Sequence, residues 1–156
     1  MKVNKYLYLL GVILLLAQCR EKQVGADESV ISSNIIVSIS EEINYAFKYV
    51  HLSARTKTGY GCGNMILDTE KIIDQNQFSI HYKKIITPTY CTWEGGPASS
   101  DIKLGDLANG DYALELSTPL GISKGIIRID STNITLIFNE LIGVEIPEPT
   151  VKRILQ

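Results

Sequence analysis

From residue 34 onward, the chain is a succession of short apolar segments separated by turn residues. In the segment 78–82, apolar and polar residues alternate strictly, and in 112–116 large apolar residues alternate with Ala113 and Glu115. A period of two is typical of a strand with one buried face, so both segments are predicted to be half-buried strands. Ala113 and Glu115 are predicted to face outward. The residues predicted to face inward are Phe78, Ile80, Tyr82, Tyr112, Leu114 and Leu116.

The segment 45–54 changes phase within one predicted strand. Its apolar residues stand at odd positions up to Tyr49 and at even positions from Val50 onward. A shift of one residue in a period of two is what a β-bulge produces, so we predict a bulge or bend near Tyr49 and Val50. The alternative is a central strand that is buried on both faces.

The spacing of these segments predicts the fold class. Seven to eight short strands follow one another at intervals of about ten residues, with glycine and asparagine in the turns. Such spacing predicts an all-β domain, either a two-sheet antiparallel β-sandwich or a small β-barrel. Residues 101–116, Asp-Ile-Lys-Leu-Gly-Asp-Leu-Ala-Asn-Gly-Asp-Tyr-Ala-Leu-Glu-Leu, resemble a hairpin of secreted immunoglobulin-like and transthyretin-like bacterial modules. This resemblance implies the sandwich.

The N-terminal residues have the layout of an export signal. Lys2 and Lys5 precede a mostly apolar segment at 6–16, and Cys19 follows closely. Eleven helical residues rise only about 16 Å, roughly half of a hydrocarbon core, so a membrane span is not predicted. A basic start followed by a short apolar segment predicts a leader that is removed on export.

The end of this leader resembles the lipobox of bacterial lipoproteins. The residues concerned are Leu16-Ala17-Gln18-Cys19, in which Gln18 departs from the small residue usual at that position. The resemblance implies that the Cys19 thiol receives a diacylglycerol and that cleavage before Cys19 follows. Two acyl chains anchor a protein stably, so the lipid bilayer is the first predicted partner. A plain signal peptide that is cut elsewhere is the alternative.

This interpretation divides the chain into three parts. They are a signal peptide at 1–18, a flexible tether at 19–33, which is polar and without periodicity, and the β-sandwich domain at 34–156. The residue after the lipidated cysteine is Arg20 and not the aspartate that retains some lipoproteins in the inner membrane. The protein is therefore predicted to be exported and anchored in the outer membrane.

The charge of the mature chain excludes some partners. Loss of Lys2 and Lys5 leaves 13 basic against 17 acidic residues, a net charge of −4. A mildly acidic chain without a basic run is unsuited to nucleic acid, so no nucleic-acid partner is predicted.

The cysteine count fits an exported lipoprotein. With Cys19 acylated, Cys62 and Cys91 remain and are predicted to form a disulfide in an oxidising compartment. Closing this loop would stabilise the fold by about 3–4 kcal/mol. Two free buried thiols are the alternative. A metal site is not predicted, because the cysteines and histidines lack the spacing of zinc ligands.

Aromatic residues adjoin both cysteines. Tyr60 precedes Cys62, and Tyr90 and Trp93 flank Cys91 in a second glycine-containing loop. A disulfide would gather these side chains at one place, and large aromatics on rigid loops are common anchors of recognition. Tyr60, Tyr90 and Trp93 are therefore the candidate binding surface. The alternative is that Trp93 covers the disulfide as part of the core.

Sequence motifs of catalysis are missing from the chain. It contains no Gly-x-Ser-x-Gly, no paired histidines and no nucleotide-binding glycine loop, so neither an enzyme nor a cofactor is predicted. We predict a non-catalytic binding or structural module whose further partner is an envelope protein or a glycan. The alternative is an envelope enzyme inhibitor or immunity lipoprotein, which the size and layout of the chain also resemble.

Overall fold

The computed structural model describes residues 28–44, 47–92 and 94–154. These residues form an all-β domain, as predicted. None of the described segments contains a helix that is long and apolar enough to cross a membrane. The predicted signal peptide, the lipidation residue Cys19 and Trp93 lie outside the described residues.

Eleven strands form within the described residues, and eight of them are at least six residues long. They are β1 Glu28–Ser29, β2 Ile35–Asn44, β3 Phe47–Tyr60, β4 Ile66–Asp74, β5 Gln77–Ile86, β6 Gly96–Gly105, β7 Gly110–Thr118, β8 Gly121–Ile129, β9 Asn133–Phe138, β10 Val144–Glu145 and β11 Thr150–Lys152.

Hydrogen bonds connect these strands into one mixed sheet. The strand order is β10-β2-β3-β6-β4-β5-β7-β8-β9-β11, and β1 pairs with β5. The pairs β10–β2, β4–β6 and β5–β7 are parallel, whereas the other neighbours are antiparallel. The sequence predicted two antiparallel sheets, but the parallel bridge between Ile66 and Ser99 joins the halves into one. There the N–H of Ser99 donates to the carbonyl oxygen of Met65 over 3.2 Å.

The sheet curls so that one face becomes the interior. Its ends approach each other, because β2 contacts both β9 and β11. The side chains that point from the strands toward this interior form one hydrophobic core. Its main members are Ile35, Val37 and Ile39 in β2, Val50, Leu52 and Ala54 in β3, Phe78, Ile80 and Tyr82 in β5, Leu114 and Leu116 in β7, Ile127 and Ile129 in β8, and Ile134 and Leu136 in β9.

The predicted alternation in β5 and β7 is confirmed. The inward residues of both strands are buried except Tyr112, which is half-buried and packs against Phe78 with ring centroids 6.0 Å apart. Ala113 is exposed, and Glu115 points outward to an ion pair with Lys124. Local side-chain alternation therefore determined the orientation of these strands.

The phase change in β3 has a different cause from the predicted bulge. β3 pairs with β2 without interruption from Phe47 onward, with Val50 and the following even positions facing inward. Phe47 is 58% exposed and Tyr49 lies beside it on the outer face, with Lys103 Nζ 3.0 Å from the Tyr49 ring centroid. The odd-numbered aromatics therefore belong to the outer face of the same strand.

A register shift does occur close to the predicted position, but in the partner strand. Val50 pairs with Gly105 and His51 with Lys103, so Leu104 of β6 is the additional residue. A bulge of this kind bends its own strand, here β6. The prediction near Tyr49 and Val50 thus located the irregular pair and assigned the extra residue to the wrong strand.

The domain begins earlier than residue 34. Residues 28–33, which we predicted as the last part of the tether, include β1 and the side chain of Ile31, which is 1% exposed. β1 pairs with Ile85 and Ile86, and Glu28 forms an ion pair with Lys84 of β5. These contacts leave at most residues 20–27 between Cys19 and the described domain.

Candidate functional site

The predicted disulfide is present. Cys62 follows β3 and Cys91 follows β5, and the bond holds their Cα atoms 5.3 Å apart. Cys62 is buried, with 5% of its surface exposed, whereas Cys91 is exposed. The disulfide therefore joins the edge of the core to the loop that leads into β6.

The Asn64 side chain is a second connection between these loops. Its Nδ2 donates to the carbonyl oxygen of Tyr90 over 2.9 Å, and its Oδ1 accepts from the N–H of Thr92 over 3.1 Å. One side chain thus satisfies backbone groups on both sides of Cys91. The two loops are fixed to each other even where they form no sheet.

Glycine allows the two backbones to approach each other. A Cβ on Gly95 would lie 2.6 Å from the carbonyl oxygen of Tyr60, and a Cβ on Gly63 would collide with the carbonyl oxygen of Glu94. Real Cβ atoms do not approach backbone oxygens so closely. Gly63 and Gly95 are therefore required by packing between the loops.

The predicted aromatic residues occupy different environments. Tyr60 is half-buried and packs against the core, and its hydroxyl is buried without a hydrogen-bond partner among the described residues. Tyr90 is 86% exposed. The aromatic ring pairs within the described residues are Phe47–Tyr49 and Phe78–Tyr112, so Tyr60 and Tyr90 do not stack. Since Trp93 lies outside the described residues, a binding surface of all three aromatics stays a prediction.

The surface beside the disulfide is open and carries little charge. Gly63, Thr92, Glu94 and Gly95 line an open depression beside the bond. Glu94 is the one ionisable side chain in this lining. Within the described ranges, no three His, Cys, Asp or Glu side chains are placed to hold a metal ion. This arrangement can present backbone groups and an exposed tyrosine to a partner.

A buried ion pair that the sequence pattern did not predict connects the two ends of the sheet. The side chain of Glu41 is 1% exposed and accepts hydrogen bonds from Nε and Nη2 of Arg153, at 3.0 and 2.8 Å, and from the N–H of Ile154 at 2.8 Å. Glu41 continues the inward row of Ile35, Val37 and Ile39. The sequence did contain a signal for this pair, because Glu41 is a charged residue at a position where the alternation along the strand places apolar side chains.

The electrostatics of Glu41 combine two opposed effects. Burial alone would raise the pKa of Glu41, because it disfavours the charged carboxylate. The hydrogen bonds from Arg153 and Ile154, together with the positive charges of Arg153 and Lys48, outweigh burial and lower the pKa below its usual value. The carboxylate is therefore charged and bound at neutral pH.

A second unpredicted feature is a group of exposed apolar residues. Leu120 lies in the β7–β8 turn, Ile122 lies at the start of β8, and Leu141 and Ile142 lie in the loop that precedes β10. Apolar residues within or next to turn segments were the available sequence signal.

The chain matches no protein-family model, no curated protein and no solved structure with which it was compared.

Proposed function

We propose that the protein is an exported lipoprotein, anchored to the bacterial outer membrane through acylated Cys19, and that its domain is a non-catalytic binding or structural module. The observation that carries this proposal is Leu16-Ala17-Gln18-Cys19 directly after a basic and then apolar leader. A short apolar segment of this kind suits export, and two acyl chains suit stable anchoring.

The cysteine pairing supports export. The Cys62–Cys91 disulfide uses two of the three cysteines and leaves Cys19 for lipid. Disulfides persist in exported proteins and are rare in reducing compartments. An odd cysteine count is thereby accounted for without a free thiol in the domain.

The rigid loops at the disulfide support a binding role. Tyr90 is 86% exposed on a loop held by the disulfide and by the hydrogen bond from Asn64. A side chain on a fixed loop loses little conformational freedom on binding, which favours affinity. An envelope protein or a glycan is the partner class that such a tyrosine would contact.

The alternative function is inhibition of an envelope enzyme, or immunity against one. The exposure of Tyr90 also favours this candidate, because an inhibitor needs a rigid protruding residue that fills a pocket of its target. In both candidates the domain acts by binding, and Tyr90 is the residue that we expect to contact the partner.

The finer architecture is also part of the proposal. We propose that the sheet is organised as two layers in the manner of a sandwich, with β10, β2, β3 and β6 opposite the remaining long strands. The support is the narrow junction at β4 and β6, where Ile66 and Ser99 are the single register pair among the described residues. Both halves contribute to one core.

The anchor is tested by replacing its cysteine. In a Gram-negative host given an alkyne analogue of palmitate, the wild-type chain should incorporate label, and Cys19→Ser should abolish incorporation. The wild-type protein should partition into the detergent phase, because each buried methylene contributes about 0.8 kcal/mol to membrane attachment. Labelling and phase separation are read on the same samples.

The matched control is the double variant Cys62→Ser, Cys91→Ser. It removes two cysteines from the domain and leaves Cys19, so its labelling should equal that of the wild type. Wild-type protein without label in the aqueous phase would disprove the lipoprotein proposal. Label that persists in Cys19→Ser would place the acyl group on another residue.

A further inference from the structure

The strands β4 and β6 are neighbours in the sheet but separate almost at once. Ile66 and Ser99 are their one register pair among the described residues, and the backbone hydrogen bond there runs from the N–H of Ser99 to the carbonyl oxygen of Met65. Beyond this pair, β4 continues to Asp74 and β6 to Gly105. Between them lies an open groove of about 360 Å³, here called the β4–β6 groove, which is lined by residues 66–69, 71 and 100–103.

Two β-bulges account for the separation of the strands. In the β4–β5 pair the register shifts between Asp68 and Thr69, and Lys83 of β5 is the additional residue. In β6 the additional residue is Leu104. A bulge bends its strand and increases the local twist. Both sides of the groove are therefore bent close to the point where β4 and β6 part.

Backbone groups of both strands point into the groove. Alternate residues of a strand direct their N–H and C=O groups to the same edge. Because the carbonyl oxygen of Met65 faces β6, the backbone groups of the later odd-numbered residues of β4 face the groove. By the same argument from the N–H of Ser99, those of the odd-numbered residues of β6 as far as Lys103 face it from the other side. Beyond the pair at Ser99, no strand lies beside either edge among the described residues.

A lysine side chain occupies the place of a strand in the groove. Lys71 Nζ donates to the carbonyl oxygen of Lys103 over 2.6 Å, and this carbonyl is one that the alternation directs into the groove. Lys71 itself is exposed. Charged side chains, and lysine in particular, protect free strand edges of natural proteins from unwanted pairing. Lys71 is therefore a removable cover of the groove.

The wall of the domain is incomplete beside β4. Lys71 and Ile73 pair with Ile80 and Phe78 of β5, so all four side chains point to the inner face of the sheet. Ile80 and Phe78 are buried, whereas Lys71 is exposed and Ile73 is 49% exposed. The inner side chains of β4 are therefore covered on the β5 side and open on the groove side. A further strand in the groove would cover Ile73.

The lining of the groove indicates what it can hold. Two aspartates and two lysines line it, namely Asp68, Asp101, Lys71 and Lys103, so its charges balance and select neither an anion nor a cation. The groups that remain along its edges are backbone N–H and C=O groups at alternate residues. An extended polypeptide carries donors and acceptors at the same spacing, and addition of such a strand to a free sheet edge is a common mode of recognition.

A second copy of this chain is a poorer occupant than a different polypeptide. Two β4 strands that pair around a two-fold axis place one residue opposite itself and its neighbours opposite each other. A pairing centred on Glu70 or Lys71 places that charge opposite itself. A pairing centred on residue 69 or 72 places Glu70 opposite Asp68 or Asp74, respectively. Like charges directly opposite each other destabilise a strand pair.

We propose that the β4–β6 groove is a second binding site, which receives an extended segment of another polypeptide as an additional strand along the free edge of β4. The segment supplies backbone hydrogen bonds to this edge and places apolar side chains, at alternate positions, beside Ile73. Its binding requires Lys71 to leave the carbonyl oxygen of Lys103, so Lys71 limits the affinity. This inference goes beyond the proposed function and depends on neither the lipid anchor nor Tyr90.

The test uses a defined peptide and the full-length protein in detergent. The probe is fluorescein-labelled Lys-Thr-Val-Thr-Val-Thr-Lys, an alternating sequence with a lysine at each end for solubility, and fluorescence anisotropy measures its binding. The control peptide has the same side chains, but both valines are N-methylated. We expect the control to bind at least about ten times more weakly, because it has lost two backbone donors.

Variants of the protein locate the bound peptide. Lys71→Ala removes the cover and should strengthen binding about tenfold, because no hydrogen bond to a charged group then has to be broken. Ile73→Pro removes an N–H that faces the groove and should weaken binding at least about tenfold, and proline is tolerated at such an edge position. Tyr90→Ala should leave binding unchanged, which separates this site from the surface proposed above. Urea unfolding verifies that each variant is folded.

Amide hydrogen exchange provides a second readout at single residues. In the free protein, the N–H groups of Lys71 and Ile73 should exchange faster than those of Glu70 and Ile72, which face β5. A saturating amount of the peptide should slow exchange at Lys71 and Ile73 about tenfold or more. This comparison needs no substitution in the protein, so it does not depend on the folding of a variant.

Four results would overturn the inference. Equal binding of the N-methylated peptide would mean that side chains are recognised and not a strand backbone. Binding that neither Lys71→Ala nor Ile73→Pro changes would place the peptide elsewhere. Absence of binding to Lys71→Ala at millimolar peptide would refute the groove as a peptide site. Slow exchange of the same amides through self-association, without peptide, would assign the groove to a second copy.

Discussion

At the scale of single residues, the most consequential side chain is Glu41. It occupies an inward position of β2 where its neighbours in the same row are isoleucine and valine. A buried carboxylate is costly without partners, but Arg153 supplies two hydrogen bonds and Ile154 a third. The pair connects the two ends of the curled sheet, so its effect on stability extends beyond its own position.

The Arg153–Glu41 ion pair should contribute far more to the free energy of unfolding than an exposed ion pair does. We expect Arg153→Gln to lower the free energy of unfolding by about 3–5 kcal/mol, because it leaves a buried carboxylate uncompensated. The control is Arg128→Gln, which breaks the exposed Asp111–Arg128 pair and should cost far less, because solvent screens that pair. Urea unfolding at pH 7 measures both. Equal losses in the two variants would contradict the role assigned to Arg153.

The same carboxylate should make stability depend on pH. Its pKa is lowered in the folded state from the ordinary value of 4.5, so its stabilisation is present above that pH and is lost as pH falls through the lowered value. We expect the unfolding free energy of Glu41→Gln to fall less steeply with acidification below pH 4.5 than that of the wild type. Since other carboxyls titrate in both proteins, the difference between the two pH curves is the measurement. Parallel curves would refute this assignment.

At the scale of elements, alternation along a strand accounts for β5 and β7, and loop packing accounts for the disulfide region. In β7, Leu114 and Leu116 are buried, while Ala113, which precedes Leu114, is exposed. In the disulfide region, backbone contact at Gly63 and Gly95 adds to the covalent bond. The strands are therefore held by their side chains and the loops mainly by backbone contacts and the crosslink.

A truncation in β7 tests the strand orientation. Leu114→Ala should lower the free energy of unfolding by about 2–5 kcal/mol, because Leu114 is 2% exposed and its loss leaves a cavity. Ala113→Ser, on the outer face of the same strand, should change it by less than about 0.5 kcal/mol. Denaturant titration of the two variants provides the comparison. A cost for Leu114→Ala no greater than for the control would mean that the orientation of β7 is misassigned.

Removal of the disulfide tests how the loops are held. The pair Cys62→Ser, Cys91→Ser opens a crosslink across a sequence separation of 29 and should lower stability by about 3–4 kcal/mol. Amide hydrogen exchange should speed up in residues 61–65 and 87–95 and stay slow in β5 and β7. Binding to any partner of this surface should weaken more than stability does, because the loops must then be ordered on contact. Fast exchange spread over the whole sheet would contradict a local role.

At the scale of the whole molecule, the two ends of the sheet have different characters. The Glu28 end carries the disulfide loops, and the opposite end carries the Glu41–Arg153 pair that fastens the C-terminal segment to β2. The proposed anchor and the proposed binding surface therefore belong to one end, while closure of the sheet is secured at the other.

The sequence by itself determined the features that depend on local geometry or on covalent chemistry. Side chains alternate along any strand, so Leu114 and Leu116 could be assigned to the interior from their spacing alone. Since Cys19 is predicted to carry lipid, the sequence left Cys62 and Cys91 as the predicted pair, and these two cysteines do form a disulfide. All-β character followed from short apolar segments between turn residues.

Only the tertiary structure decided which strands meet and which face each side chain occupies as a result. The outward position of Phe47 depends on where β2 and β6 pack, and the bulge at Leu104 depends on a strand distant in sequence. The single bridge between Ile66 and Ser99 makes one sheet where spacing predicted two. Arg153 reaches Glu41 across 112 residues. These outcomes are long-range contacts, which a local pattern of apolar and polar residues does not contain.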